Sequence, residues 1–313
     1  MRPVRTLAEA LGTGVLVLDG GLSNQLEAQG CDLSDALWSA RLLADAPEQI
    51  EAAHAAYVRA GARVLITSSY QATFEGFARR GTGREEAARL LARSVELARR
   101  AGEGATGEGA GAGAPEEVWV AASVGPYGAM LADGSEYRGR YGLSVGALER
   151  FHRPRIEVLA EAAPDVLALE TVPDVEEADA LLRAVEGCGV PVWLSYTVAG
   201  GRTRAGQELA EAFAVVAGNE QVVAVGVNCC DPAEAGAAVE LAVAVTGKPA
   251  VVYPNSGERW DARARGWRGD MAFDTARAVD WAGGGARLVG GCCRVGPATI
   301  AALAEELAAD RSP

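Results

Sequence analysis

Short runs of apolar and β-branched residues alternate along the whole chain with longer stretches rich in Ala, Leu and Glu. Eight of these runs have the length of strands and are apolar nearly throughout, which is typical of strands covered on both faces. They span residues 15–18, 63–67, 118–123, 165–169, 190–196, 222–227, 250–253 and 287–289. Strands that alternate with helices indicate a parallel α/β sheet, and eight such units predict a single-domain, TIM-type (β/α)8 barrel over residues 1–313. An open, doubly wound sheet is the alternative, because periodicity does not show whether the sheet closes.

The intervening stretches carry helix signals at their ends. The predicted helices 47–60, 232–245 and 297–309 all begin with Pro, which is favoured in a first helical turn. A fourth predicted helix, 84–100, begins with acidic and ends with basic residues, as the helix dipole favours. Residues 102–115 are nearly all Gly, Ala and Glu, and they predict a flexible surface loop. Their G-x-G-x-x-G pattern follows a helix rather than a strand, which is the wrong context for a dinucleotide site.

Charge and hydropathy exclude several classes of partner. The chain has 29 basic and 42 acidic residues, a net charge of −13. Such a balance disfavours nucleic acids and anionic membranes, both of which are bound through Lys and Arg. The first apolar run, 15–18, is too short for a secretory segment, and no run of 18 apolar residues occurs. We therefore expect a cytoplasmic protein that acts on small molecules.

Polar and sulfur-bearing residues gather at the predicted carboxyl ends of the strands, where the chemistry of a (β/α)8 barrel takes place. Cys229 and Cys230 follow the sixth strand, and Cys292 and Cys293 follow the eighth. One strand separates these two ends, so three thiolates can converge there on a soft metal such as Zn²⁺. Successive strand residues point to opposite faces, so both Cys292 and Cys293 can bind only if the backbone has left the strand, as the preceding Gly-Gly pair permits.

Only one of Cys229 and Cys230 is expected to bind, because no glycine pair precedes them. Three protein ligands would leave a position open on the metal, as in catalytic zinc sites, and thiolate ligation suits activation of a substrate thiol. Two alternatives remain. The cysteines can be small buried apolar residues, or Cys230 can close a zinc site that has no catalytic role.

Motifs at these strand ends, taken together, resemble those of the zinc-dependent homocysteine S-methyltransferases, most closely the members that use S-methylmethionine. The matching segments are LDGGLSNQLE at 18–27, SYQAT at 69–73, SVGPYG at 123–128, ADGSEYRG at 132–139, FHRP at 151–154, ET at 170–171, GVNC at 226–229, VYPNSGE at 252–258 and GGCCR at 290–294. The resemblance covers nearly the whole chain in order. It departs at Asn24, where the family more often has Thr.

The resemblance implies roles for individual residues. Cys229, Cys292 and Cys293 correspond to the zinc ligands, and through the metal they would be the catalytic residues. Asp19 and Glu170, with Asn255 as a further candidate, correspond to residues that bind the amino-acid end of homocysteine.

The implied reaction is methyl transfer from S-methylmethionine to the thiol of L-homocysteine, which gives methionine. The loop that contains Glu136 and the tyrosines 127, 137 and 141 is a candidate donor pocket, and a conformational role for this loop is the alternative. Betaine or S-adenosylmethionine as donor, and a different thiol or selenol as acceptor, are the alternatives.

Overall fold

The computed structural model describes residues 2–34, 37, 39–107, 117–261 and 266–309. Its principal sheet has eight strands, one in each predicted run: β1 Leu16–Val17, β2 Val64–Ile66, β3 Trp119–Val124, β4 Val166–Val172, β5 Val192–Tyr196, β6 Val222–Asn228, β7 Ala250–Tyr253 and β8 Ala286–Val289. The sheet is entirely parallel, in the order β1-β8-β7-β6-β5-β4-β3-β2.

A parallel bridge between Leu18 and Val64 joins the two outer strands, β1 and β2. It is extended by the Asp19 N–H, which donates to the Val64 carbonyl at 3.0 Å. The sheet therefore closes into the predicted (β/α)8 barrel, and the open-sheet alternative is wrong.

Helices surround the barrel. They are α1 Leu7–Leu11, α2 Leu22–Ala28, α3 Ser39–Asp45, α4 Pro47–Arg59, α5 Phe74–Arg79, α6 Arg84–Gly107, α7 Tyr127–Leu131, α8 Val145–Glu161, α9 Val175–Val185, α10 Leu209–Ala214, α11 Pro232–Thr246, α12 Arg277–Gly283 and α13 Pro297–Ala309, with a 3-10 turn at Ser135–Tyr137. Two antiparallel hairpins pair Val198–Ala199 with Arg202–Thr203 and Arg259–Asp261 with Gly266–Arg268. No helix in the described ranges combines the length and the apolar character needed to cross a bilayer.

The prediction of a loop at 102–115 is wrong for residues 102–107. Helix α6 continues to Gly107, so residues 102–107 are helical, and residues 108–115 lie outside the described part. The Cβ of an Ala at position 102 would lie 3.0 Å from the Val118 side chain, so this glycine lets the helix pack closely on the segment that leads into β3. Tertiary packing here outweighs the low helix propensity of glycine.

The hydrophobic core has two layers, one between the strands and the outer helices and one inside the barrel. Helix α1 contributes Leu7 and Leu11 to the inner layer, beside Trp119 and Trp193. The Trp119 indole N–H donates to the Arg5 carbonyl at 3.1 Å, just before this helix. The barrel interior is thus filled with side chains, and the functional site is placed in the loops at the carboxyl ends of the strands.

Candidate metal centre and active site

Three sulfur atoms meet above the carboxyl ends of β6 and β8, with β7 between these strands. The Sγ atoms of Cys229, Cys292 and Cys293 all lie within 4.8 Å of one another. Cys229 is buried, whereas Cys292 and Cys293 are partly exposed. The predicted convergence of these residues is thus present. Among the described residues, this group does not include Cys230.

The backbone turns sharply where each thiol enters the cluster. Cys229 has φ +51°, a conformation that few non-glycine residues adopt, and its N–H donates to the Tyr253 carbonyl at 3.1 Å. Past the end of β8, the Cys292 N–H donates to the Pro254 carbonyl at 2.8 Å, and the Cys293 N–H donates to Asn255 Oδ1 at 3.1 Å. The backbone has therefore left the strand at Cys292 and Cys293, as expected, and the last residue of β7 together with the loop after it holds all three cysteines.

The glycines before Cys292 act differently from the prediction. Neither Gly290 nor Gly291 has a positive φ. Instead, a Cβ at Gly290 would lie 2.5 Å from the Leu18 Cβ, and one at Gly291 would lie 2.2 Å from the Val295 side chain. Their role is to allow close approach of neighbouring segments. Gly226, three residues before Cys229, has the same role, since its Cβ would meet the Val251 carbonyl oxygen at 1.9 Å.

The sulfur geometry fits a tetrahedral metal. Two thiolates bound at about 2.3 Å to one tetrahedral Zn²⁺ would lie about 3.8 Å apart. The Sγ atoms of Cys229 and Cys293 are 3.8 Å apart. Sulfur donors select soft or borderline metals such as zinc over Mg²⁺ or Ca²⁺. The donor set and the spacing of this pair therefore suit zinc.

The thiols depend on one another for their ionisation. Hydrogen bonds from Cys292 and Cys293 lower the pKa of Cys229 well below its ordinary value, and the same contacts to Cys229 raise the pKa of both partners. The Tyr137 hydroxyl is a further neighbour of Cys229, at 3.2 Å from its Sγ. By contrast, burial raises the pKa of Cys230, which leaves this thiol protonated.

Asp19 and Glu170 form a buried acidic pair beside this cluster. Asp19 follows β1 and accepts the Ile66 N–H on Oδ2 at 2.9 Å, while its Oδ1 is buried without a hydrogen-bond partner among the described residues. Glu170 lies in β4 and accepts a short hydrogen bond from the Ser123 hydroxyl. Burial raises the pKa of Glu170 to about 7, and burial together with the Glu170 charge raises that of Asp19 well above its ordinary value. The pair is thus suited to a cationic ligand group, which would relieve the cost of two buried negative charges.

Of the other residues predicted for the site, some lie beside the cysteines and others pack elsewhere. Asn255 lines a cleft beside the cysteines, and its side chain also positions the Cys293 backbone. Tyr137 lines the same cleft. Tyr127 and Tyr141 instead pack on each other, with ring centroids 5.2 Å apart, and Tyr127 also packs against Phe151. Glu136 is buried near Cys229, whose charge adds to the effect of burial in raising the Glu136 pKa to about 7.

Sequence reasoning missed the contribution of the fifth strand. Thr197, directly after β5, donates from its hydroxyl to the Cys229 carbonyl at 3.1 Å. Ser195 within β5 donates to Asn228 Oδ1 at 2.8 Å, and the Asn228 amide donates to Thr171 Oγ1 at 2.8 Å. These bonds join the ends of β4, β5 and β6. The sequence pattern that could have revealed these residues is the one found at the other strands, namely hydroxyl residues at the end of an apolar run.

Comparison with known proteins gives a consistent result over nearly the whole chain. Residues 16–307 match the family profile described as homocysteine S-methyltransferase. The homocysteine S-methyltransferase of Escherichia coli K12 is 45% identical over 96% of this chain and 97% of its own length. Homocysteine S-methyltransferase 4 of Zea mays is 46% identical over 93% of this chain and 89% of its own length.

The structural comparison agrees. The crystal structure of the homocysteine methyltransferase MmuM from Escherichia coli in its metallated form superposes with a TM-score of 0.83. It is 44% identical, and the match covers 93% of this chain and 96% of that one. Taken with the barrel and its three converging thiols, these matches establish that the chain belongs to the homocysteine S-methyltransferase family.

Proposed function

We propose that this protein transfers a methyl group from S-methylmethionine to the thiol of L-homocysteine, at a zinc ion held by Cys229, Cys292 and Cys293. The observation that carries the proposal is the convergence of these three sulfur atoms, two of which, those of Cys229 and Cys293, have the 3.8 Å separation expected around tetrahedral zinc. Zinc bound there would favour the thiolate form of homocysteine near neutral pH. A reducing compartment such as the cytoplasm would keep the three cysteines available as ligands.

Asp19 and Glu170 would bind and orient homocysteine. Their buried carboxylates complement an α-ammonium group, and the unpartnered Oδ1 of Asp19 offers it an acceptor. Ser123 holds Glu170 through its hydroxyl, and Ile66 holds Asp19 through its backbone N–H. Asn255 fixes the loop that carries Cys293, so its contribution to substrate binding would be partly indirect.

The reaction balances without an external oxidant or reductant. The homocysteine thiol loses its proton to solvent, its sulfur forms a bond to the methyl carbon, and the bond from that carbon to the donor sulfur breaks. The electron pair of the broken bond stays on the donor sulfur, so the sulfonium leaves as neutral methionine. The protein must chiefly align the two sulfur atoms, since no proton moves at carbon.

The non-catalytic alternative requires a fourth protein ligand, for which the sequence offered Cys230. Among the described residues, Cys230 stays outside the thiol group, and burial keeps its thiol protonated. The geometry therefore favours a site with one position left for a substrate thiol.

The experiment combines isotope tracing with metal analysis. Zinc-loaded protein is incubated with backbone-labelled homocysteine and S-methylmethionine carrying deuterated methyl groups, and methionine is measured by mass spectrometry. We expect backbone-labelled methionine that contains one deuterated methyl group, and loss of both zinc and activity in Cys292→Ser. Cys230→Ala is the matched control and should keep one equivalent of zinc.

Betaine and S-adenosylmethionine are tested as donors in parallel. Full activity after zinc removal, or a full zinc equivalent in Cys292→Ser, would overturn the metal assignment. Faster transfer from either of the other donors would overturn the donor assignment.

A further inference from the structure

A cleft of about 460 Å³ opens beside the thiol cluster, on the side of the hairpin that follows β5. Its walls include Tyr137, Arg204, Asp231, Glu234 and Glu258. The cleft thus combines an aromatic ring, a cation and several carboxylates, and the cysteine that lines it is Cys230, the neighbour of Cys229. Asp19 and Glu170 are not among the residues that line it.

Arg204 is held close to the thiols by two short connections. Its guanidinium carbon lies 5.5 Å from the centre of the Tyr137 ring, and the hydroxyl of that ring is 3.2 Å from the Cys229 Sγ. Its Nε donates to Thr197 Oγ1 at 3.4 Å, and Thr197 in turn donates to the Cys229 carbonyl. The guanidinium therefore lies over the ring whose hydroxyl contacts the cluster.

The guanidinium has no anionic partner within the described part of the chain. Arg202, on the same hairpin, pairs with Glu208, and Arg294 across the cleft pairs with Glu258 at 3.0 Å. For Arg204, the described residues provide only the Thr197 hydroxyl and the Tyr137 ring. Its terminal N–H groups thus remain available for a planar anion such as a carboxylate.

The charges of the cleft complement a sulfonium amino acid. Because Glu258 is paired with Arg294, the unpaired charges on the walls are one cation, Arg204, and two carboxylates, Asp231 and Glu234. The net charge of these three side chains is −1. It is equal and opposite to the net charge of +1 on a molecule with one carboxylate, one ammonium and one sulfonium group. Betaine has no net charge, and its quaternary ammonium group has no N–H to donate to a carboxylate.

We infer that this cleft binds the amino-acid end of the methyl donor, with its α-carboxylate on Arg204 and its α-ammonium facing Asp231 and Glu234. The inference rests on the proposed function, which it deepens by naming the side chains that bind the amino-acid group of the donor. In such a donor four bonds separate the sulfur from the carboxylate carbon, an extended span of about 5 Å. Arg204 contacts the ring face of Tyr137 and Cys229 contacts its hydroxyl, so an extended donor can lie along this side chain toward the thiols.

The test is direct binding, which does not depend on turnover. Isothermal titration of zinc-loaded protein, with homocysteine left out so that no methyl transfer occurs, measures the Kd of S-methylmethionine and of trimethylsulfonium, which lacks the amino-acid group. We expect Arg204→Gln to weaken S-methylmethionine binding about 10- to 100-fold, as for loss of a charge-assisted pair. Arg204→Lys should recover part of the loss. Trimethylsulfonium should bind weakly and equally to all variants.

Arg202→Ala is the matched control, since it removes an exposed arginine from the same hairpin. It should leave both Kd values unchanged. Zinc content and homocysteine affinity should also stay unchanged in Arg204→Gln.

Equal S-methylmethionine affinity in wild type and Arg204→Gln, or no binding to wild type, would overturn the inference. Failure of the proposed function would give a different result. S-methylmethionine would then still bind with an affinity that depends on Arg204, but no labelled methionine would form in the isotope experiment.

Discussion

Replacement of Glu170 by Gln should stabilise the protein while it weakens substrate binding. Burial raises the pKa of this carboxyl from 4.5 to about 7, so the folded state binds a proton that the unfolded state has lost between these pH values. The contribution of this carboxyl to the free energy of unfolding is therefore fully present below about pH 4.5 and is lost as pH rises through 7. At about 1.4 kcal/mol per tenfold change in proton affinity, the ionised carboxylate costs about 3 kcal/mol at pH 8.

Gln removes this cost and can still accept the Ser123 hydroxyl. In thermal unfolding without homocysteine, we expect the melting temperature of Glu170→Gln at pH 8 to exceed that of wild type by roughly 5 °C. The difference should shrink toward zero by pH 4. Homocysteine affinity should fall at least about 10-fold, since a charge-assisted bond to the ammonium group is lost.

Glu258→Gln provides a control of opposite sign. Hydrogen bonds from Arg294 hold the pKa of Glu258 below its ordinary value, so its ionised form stabilises the fold. This variant should be less stable than wild type above the unfolded pKa, and the difference should disappear as pH falls through the lower pKa of the folded state. A Glu170→Gln protein that is less stable than wild type at pH 8, or equally stabilised at pH 4 and pH 8, would refute the reasoning.

Two further predictions concern packing and protonation. Gly226→Ala should destabilise the protein by about 1–3 kcal/mol and reduce its zinc content, because the new methyl group would meet the Val251 carbonyl at 1.9 Å. Gly236→Ala in α11, with its nearest neighbouring atom at 3.7 Å, should be neutral or stabilising in the same denaturation assay. Burial lowers the His54 pKa to about 4, so wild type should lose up to about 3 kcal/mol of stability as pH falls from 6.5 to 4. His54→Gln should flatten that part of the stability profile, and an unchanged slope would contradict the assignment.

Local patterns predicted the architecture well. All eight strand positions and the helix that starts at Pro47 follow from apolar runs and end signals, which depend only on neighbouring residues. The end of α6 could not be predicted in this way, because Gly102 is accommodated by contact with Val118, a residue from another element. Closure of the sheet likewise depends on the bridge between Leu18 and Val64, which no local pattern reveals.

The same division applies to the site. The sequence by itself determined which residues follow the strands, and hence that Cys229, Cys292 and Cys293 would lie at one end of a barrel. Only the tertiary structure decided that their sulfur atoms come within 4.8 Å of one another. This distance depends on the turn at Cys229 and on the hydrogen bonds that the cysteine N–H groups donate to the end of β7 and the loop after it. It also brought in Arg204, which no motif marks. The sequence states the chemical group at each position, whereas the distances between side chains are set by contacts among segments far apart in the chain.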